Sequence, residues 1–214
     1  ADLLFLTCPN APTGIRFSTD DLRQIAESLE GLLVVDEAYV EFAEASALPL
    51  LNNHENVVLT RTFSKAYGLA GLRVGYALAA PAVVAVLDRI RDSYNVNRLS
   101  QAGALAALKH PAIYREFAAQ VKVTRQWTRS ELEKLGWRVC PSEANFLFGA
   151  PVDRAGQAGP EMARDLFNYL ESQKILVRYF PKHPLTASHL RVSVGTQSEM
   201  ERFMEKVKLW KQGA

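Results

Sequence analysis

Cysteine is nearly absent. The chain of 214 residues holds two, Cys8 and Cys140, in no C-x-x-C pair and no Cys/His cluster. That argues against a disulfide scaffold and a structural zinc site, and it leads us to expect a cytoplasmic protein. The four histidines, His54, His110, His183 and His189, show no H-x-x-x-H spacing and are read as packed or solvated residues rather than metal ligands. An excess of one charge is missing too. The 25 basic and 23 acidic residues leave a formal charge of +2, with no Lys/Arg block, so nothing electrostatic points to nucleic acid or a membrane surface. No apolar run approaches the roughly 18 residues of a membrane helix. Internal repeats, low-complexity tracts and a signal peptide are all lacking. The sequence has no starting Met and passes from Ala1-Asp2 directly into an apolar run, which reads as the middle of a larger protein.

What is present has the balance of an ordinary globular protein, with 48% apolar and 22% charged residues. In the first half, short apolar runs alternate with amphipathic stretches, the pattern of an α/β layered sheet. Strands are expected at residues 3–6, 32–35, 57–59 and 74–79. A helix capped by Ser18 or Thr19 follows the turn Pro9-Asn10-Ala11-Pro12-Thr13-Gly14, and another starts at Pro81. The second half changes character. Helices are expected at 100–109, 113–135, 160–172 and 197–211. Short strands are expected at 137–140, 145–148, 175–178 and 190–194, and an exposed loop at 149–159. This divides the chain into part of a large α/β domain with a mainly parallel sheet (1–110), a connecting helix (111–135) and a small α+β domain (136–214).

Polar residues fall where such sheets bind ligands, beyond the carboxyl ends of strands. Successive strands lead into Asn10, into Asp36 and Tyr39, and into Thr62, Ser64 and Lys65, with Arg73 a few residues on. A lone Asp there is commonly a turn residue and a lone Lys a surface charge. Together they place an acid, a phenol, hydroxyls, an amine and a guanidinium at one sheet edge. Gly68, Gly71 and Gly75 allow close backbone approach. Such a set suits a phosphorylated aromatic aldehyde: the amine joins the carbonyl, the carboxylate faces a pyridinium nitrogen, and hydroxyls with the guanidinium hold the phosphate. Those are the requirements of pyridoxal 5'-phosphate. Glu37 falls on the opposite side of the strand from Asp36, so the two are not read as an acid/base pair. Phe63, Tyr67 and Tyr76 are read as packing residues.

Four blocks carry a family resemblance. Cys8-Pro9-Asn10-Ala11-Pro12-Thr13-Gly14, Asp36-Glu37-Ala38-Tyr39, Thr62-Phe63-Ser64-Lys65 with Ala70-Gly71-Leu72-Arg73-Val74-Gly75, and Leu190-Arg191-Val192-Ser193-Val194-Gly195-Thr196 together resemble the fold-type I class I/II aminotransferases. Within that group the chain is most similar to the histidinol-phosphate aminotransferases. The resemblance implies that Lys65 binds the cofactor carbonyl and later shuttles a proton, and that Asp36 keeps the ring nitrogen protonated. It implies that Tyr39 and Asn10 hydrogen-bond the 3'-oxygen and that Thr62, Ser64 and Arg73 hold the phosphate. It further implies that Arg191 receives a substrate carboxylate or phosphate with help from Arg178, in a homodimer acting on small molecules, glutamate and a phosphorylated partner. Where relatives carry Asn before Pro-Thr-Gly, this chain has Ala11, and Asn10 is expected to take over that contact. Full-length relatives also carry an N-terminal arm, a glycine-rich phosphate loop, a stacking aromatic and a tyrosine that crosses the dimer. None of these has a counterpart here, so the chain resembles the C-terminal part of such an enzyme. Threonine-phosphate decarboxylase and an aromatic aminotransferase remain alternatives within the family. A non-catalytic fragment is the alternative outside it.

Overall fold

The computed structural model describes residues 1–213. Apolar runs form the first sheet: β1 (Leu3–Thr7), β2 (Leu32–Asp36) and β3 (Val57–Thr62) lie parallel in that order. β4 (Gly75–Ala79) pairs antiparallel with β3. Parallel neighbours need a crossover, and α1 (Thr19–Ser28) supplies the first. Its start is set by a capping box, in which the Asp21 N–H donates to Ser18 Oγ at 3.0 Å and the Ser18 N–H to Asp21 Oδ2 at 3.0 Å. Alternation along the strands then separates the two faces. Leu33, Val35, Val57 and Leu59 are fully buried on one face with Leu22, Ala26 and Leu50. On the other, Leu3 and Phe5 of β1 are 48% and 67% exposed.

Packing divides the chain into two units, residues 1–11 with 15–118 and residues 12–14 with 119–214. The first also contains α2 (Pro81–Ile90) and α3 (Arg98–Lys109). The helix α4 (Pro111–Lys134) contributes residues to both. The second unit holds α5 (Pro160–Ser172), α6 (Gln197–Gly213) and an antiparallel sheet. Its strands are β5 (Arg138–Val139), β6 (Phe146–Ala150), β7 (Arg178–Tyr179) and β8 (Leu190–Ser193), in the order β5-β6-β8-β7. Leu132, Leu147, Leu166, Leu170, Leu190 and Val207 fill the core of this unit. Trp210 joins them while its indole N–H donates to Asp165 Oδ2 at 2.7 Å.

Three segments differ from the sequence expectation, the first being the strand expected at 175–178, which is displaced to Arg178–Tyr179 where it pairs with β8. The exposed loop expected at 149–159 begins later, because Gly149 and Ala150 complete β6 and residues 149–152 are buried. Small residues there serve close packing rather than a turn. A Cβ at Gly149 would lie 3.1 Å from the Trp137 ring. The strand expected at 57–59 runs on to Thr62, since ladder pairing with β4 carries the polar Thr60-Arg61-Thr62.

Candidate active site

Because β1, β2 and β3 run parallel, their carboxyl ends meet at one edge of the sheet. Ladder register sets Thr7 beside Asp36, Asp36 beside Thr60 and Thr60 beside Ala77, a row that shares one face. The next row on that face pairs Thr62 with Gly75. Around this edge the first unit brings together Asn10, Asp36, Tyr39, Thr62, Ser64, Lys65 and Arg73. Asn10 Nδ2 donates to Thr7 Oγ1 at 2.8 Å. Asp36 accepts the Ala38 N–H on Oδ1 at 3.0 Å, which steers its carboxylate back over the turn that leads to Tyr39.

Lys65 is exposed and its Nζ stands 5.2 Å from the centre of the Tyr39 ring. The turn that carries Lys65 is held by its own backbone: Phe63 N–H donates to Val74 O, Leu69 N–H to Phe63 O and Gly68 N–H to Lys65 O, each at 3.0 Å. Thr62 Oγ1 receives the Ser64 N–H at 3.0 Å. Arg73 occupies the left-handed region (φ 54°, ψ 45°) at the end of a short 3-10 turn, with Nη1 donating to Ala70 O at 3.2 Å. A non-glycine residue in that conformation carries a backbone cost of about 1 kcal/mol or more, which the surroundings must offset. Phe63, Tyr67 and Tyr76 form an aromatic group beneath the turn, with Phe63–Tyr67 centroids 4.8 Å apart.

On the opposite face Glu37 is 1% exposed. Its Oε2 accepts from Arg61 Nε at 2.9 Å and Nη2 at 2.7 Å, and its Oε1 accepts from the Ala47 N–H at 2.6 Å and Ser46 Oγ at 2.9 Å. Burial opposes the Arg61 charge, but the bonds to the Glu37 carboxylate outweigh it and raise the guanidinium pKa. Nearby, burial also raises the Glu41 carboxyl above its usual range.

In the second unit, Arg178 and Arg191 are register partners across β7 and β8. The Arg191 guanidinium lies 5.0 Å from the Phe146 ring centre and 5.5 Å from that of Phe180. Its Nε is buried and has no hydrogen-bond partner among the described residues. Arg178 is exposed.

Thr7, Thr60 and the Glu37–Arg61 pair were not singled out by sequence. Thr7 had one usable signal, a hydroxyl at the last position of a strand entering the Asn10 turn. Glu37 and Arg61 had none, because pairing across strands is not written in spacing.

A mostly parallel sheet with an amine, a carboxylate and a guanidinium at its carboxyl edge defines a class of protein that solved structures share. The histidinol-phosphate aminotransferase from Sinorhizobium meliloti, in complex with pyridoxal-5'-phosphate, superposes with a TM-score of 0.84 at 31% identity, over 98% of this chain and 58% of that one. L-threonine-O-3-phosphate decarboxylase from Porphyromonas gingivalis shares the fold at 23% identity, with a TM-score of 0.80 over 99% of this chain and 65% of that one. Residues 1–207 match the family model for aminotransferase class I and II, and the chain belongs to that family. It is 46% identical over 206 residues to a histidinol-phosphate aminotransferase of Geobacter sulfurreducens, covering 96% of this chain and 57% of the relative. The chain thus spans little more than half the length of the curated relatives it matches.

Proposed function

We propose that the chain is part of a pyridoxal-phosphate-dependent aminotransferase that moves an amino group between glutamate and a phosphorylated imidazole substrate, histidinol phosphate. The observation that carries this reading is the convergence of Lys65, Asp36, Tyr39, Asn10, Thr62, Ser64 and Arg73 on one sheet edge. The donor set fits the cofactor: no carboxylate pairs with the Lys65 amine among the described ion pairs, and the Arg73 guanidinium is exposed beside the Ser64 turn. When bound, pyridoxal phosphate supplies an aldehyde and an electron-withdrawing pyridinium ring.

Lys65 Nζ would hold the cofactor at its aldehyde carbon and, as a free amine, would hold and return a proton at the substrate carbon. Asp36 Oδ2 holds the proton on the ring nitrogen, while its Oδ1 is committed to the Ala38 N–H. Tyr39 and Asn10 donate to the ring oxygen. Arg73, Ser64 and Thr62 bind the phosphate, Arg73 as a planar fork of donors. Arg191, whose guanidinium lies close to the Phe146 and Phe180 rings, donates to a substrate carboxylate or phosphate, and Arg178 adds a second cation on the same side of the sheet.

The 46% identity to a histidinol-phosphate aminotransferase favours that substrate over threonine phosphate. The test is to add pyridoxal phosphate, reduce with borohydride and map the labelled peptide. Label on Lys65, lost in Lys65→Ala, is expected; label that persists without Lys65 overturns the site. Glutamate-dependent formation of 2-oxoglutarate without release of CO2 from threonine phosphate separates transaminase from decarboxylase. On the same reading the protein is a cytoplasmic homodimer, and light scattering of the purified chain checks the dimer.

A further inference from the structure

Glu37 and Arg61 form a deeply buried ion pair, at 1% and 17% side-chain exposure, and the chemistry above does not use them. Burying such a pair is seldom a route to stability, because desolvation offsets the attraction and an apolar pair of similar size often does as well. What the pair does supply is fixed geometry, and its connections are specific. Glu37 follows Asp36 directly, and its own N–H donates to Thr60 O at 2.8 Å. Arg61 precedes Thr62 in β3. The remaining Glu37 partners, Ser46 and the Ala47 N–H, close the segment that carries Tyr39. Arg61 Nη2 also reaches Ser46 Oγ at 2.8 Å. One carboxylate therefore ties together the three stretches of chain that present Asp36, Tyr39 and the Thr62–Lys65 turn, and it does so from the face opposite the site.

We propose that Glu37 and Arg61 are positioning residues: the forked pair locks the carboxyl ends of β2 and β3 in register, so that Asp36 and Lys65 stand at a fixed separation for the ring nitrogen and the aldehyde of the cofactor. This rests on the pyridoxal phosphate reading of the site. Apolar packing and the ladder set the register of the two strands, and the bidentate, directional contact holds it where the ladder ends. Asp36 is thereby spared from bonding to protein cations, since the neighbouring arginine is already engaged on the far side.

Hydrogen exchange of the cofactor-free chain tests this without reference to activity. The Cys8 and Phe63 amides donate to Asp36 O at 2.9 Å and Val74 O at 3.0 Å, and neither donates to Glu37. In Glu37→Gln both are expected to exchange about tenfold faster or more, while the Val35 and Leu59 amides keep their rates, because only the strand ends open. Affinity for added pyridoxal phosphate should fall by a similar factor. Arg61→Lys, which keeps the charge and loses the fork, should act in the same direction. Ser46→Ala gives a milder probe if the other two do not fold. Unchanged rates at Cys8 and Phe63, a uniform acceleration across all strand amides, or loss of folding in all three variants would overturn the proposal and leave the pair a purely structural one. An unlabelled Lys65 in the unsubstituted chain would instead overturn the cofactor reading, whatever the exchange rates, so the two failures stay distinct.

Discussion

At Arg73 conformation and proposed role pull apart. A left-handed backbone suits glycine, yet a guanidinium stands there. Arg73→Gly should relieve the backbone cost and loosen the unfolded chain by comparable amounts, leaving the unfolding free energy within about 1 kcal/mol. Affinity for pyridoxal phosphate should fall at least about tenfold, as expected when a charge-assisted bidentate contact is lost. Denaturant melts and cofactor titration check the two halves. Glu41 and His189 make opposite pH predictions. Burial raises the Glu41 carboxyl above its ordinary 4.5, so the folded chain keeps a proton that the unfolded chain has released. Stability is therefore lost as pH rises from 4.5 through the folded value, and Glu41→Gln should flatten that slope. Burial lowers the His189 imidazole below 6.5, with Arg138 adding to it; the ring stacks on Phe148 at 4.7 Å. Here stability is lost as pH falls from 6.5 through the folded value, and His189→Gln should remove the loss. Urea midpoints between pH 4 and 7 read both.

Elements of the first unit depend on a few local signals that were legible along the chain. Of the two caps expected for α1, Ser18 and Thr19, the structure uses Ser18, in a capping box with Asp21. Ser18→Ala should cost about 1 kcal/mol in a thermal or denaturant melt. Gly75 opens β4 opposite Thr62, and a Cβ there would come within 2.8 Å of Arg61 O. Gly75→Ala should therefore force the β3 and β4 backbones apart beside Thr62 and Ser64. Weakened cofactor binding is expected, alongside a stability loss of about 1–3 kcal/mol. The end of β3 was not legible, because Thr60, Arg61 and Thr62 alternate without an apolar side and only the partner strand makes them extended. The loop expected at 149–159 starts later than its sequence suggests for the converse reason. Gly, Ala and Pro read as a turn, but Gly149 is small so that Trp137 can lie against it.

For the molecule as a whole, tryptophan is a selective reporter. Trp127, Trp137 and Trp210 all belong to the unit built on residues 119–214, so their emission follows the unfolding of that core. Leu166 is fully buried there among Leu132, Leu170 and Met204. Leu166→Ala should lower the unfolding free energy read by tryptophan by about 3 kcal/mol, the usual result of a large buried cavity. A change below about 1 kcal/mol would mean that the core collapses around the missing side chain. Among the described residues no helix is long and apolar enough to cross a membrane, in keeping with the short apolar runs of the sequence.

The order of motifs along the chain was enough to determine the layered α/β character, the strand ends that carry Asn10, Asp36 and Lys65, and the family, because apolar periodicity and the chemistry of a carbonyl cofactor are both local in sequence. Tertiary structure alone decided the rest. It set Thr7, Asp36 and Thr60 in one row, placed Arg178 opposite Arg191, and joined Glu37 to Arg61 beneath the site. Each of these depends on the register between strands far apart in the chain, and register is settled only when faces are buried and ladders close.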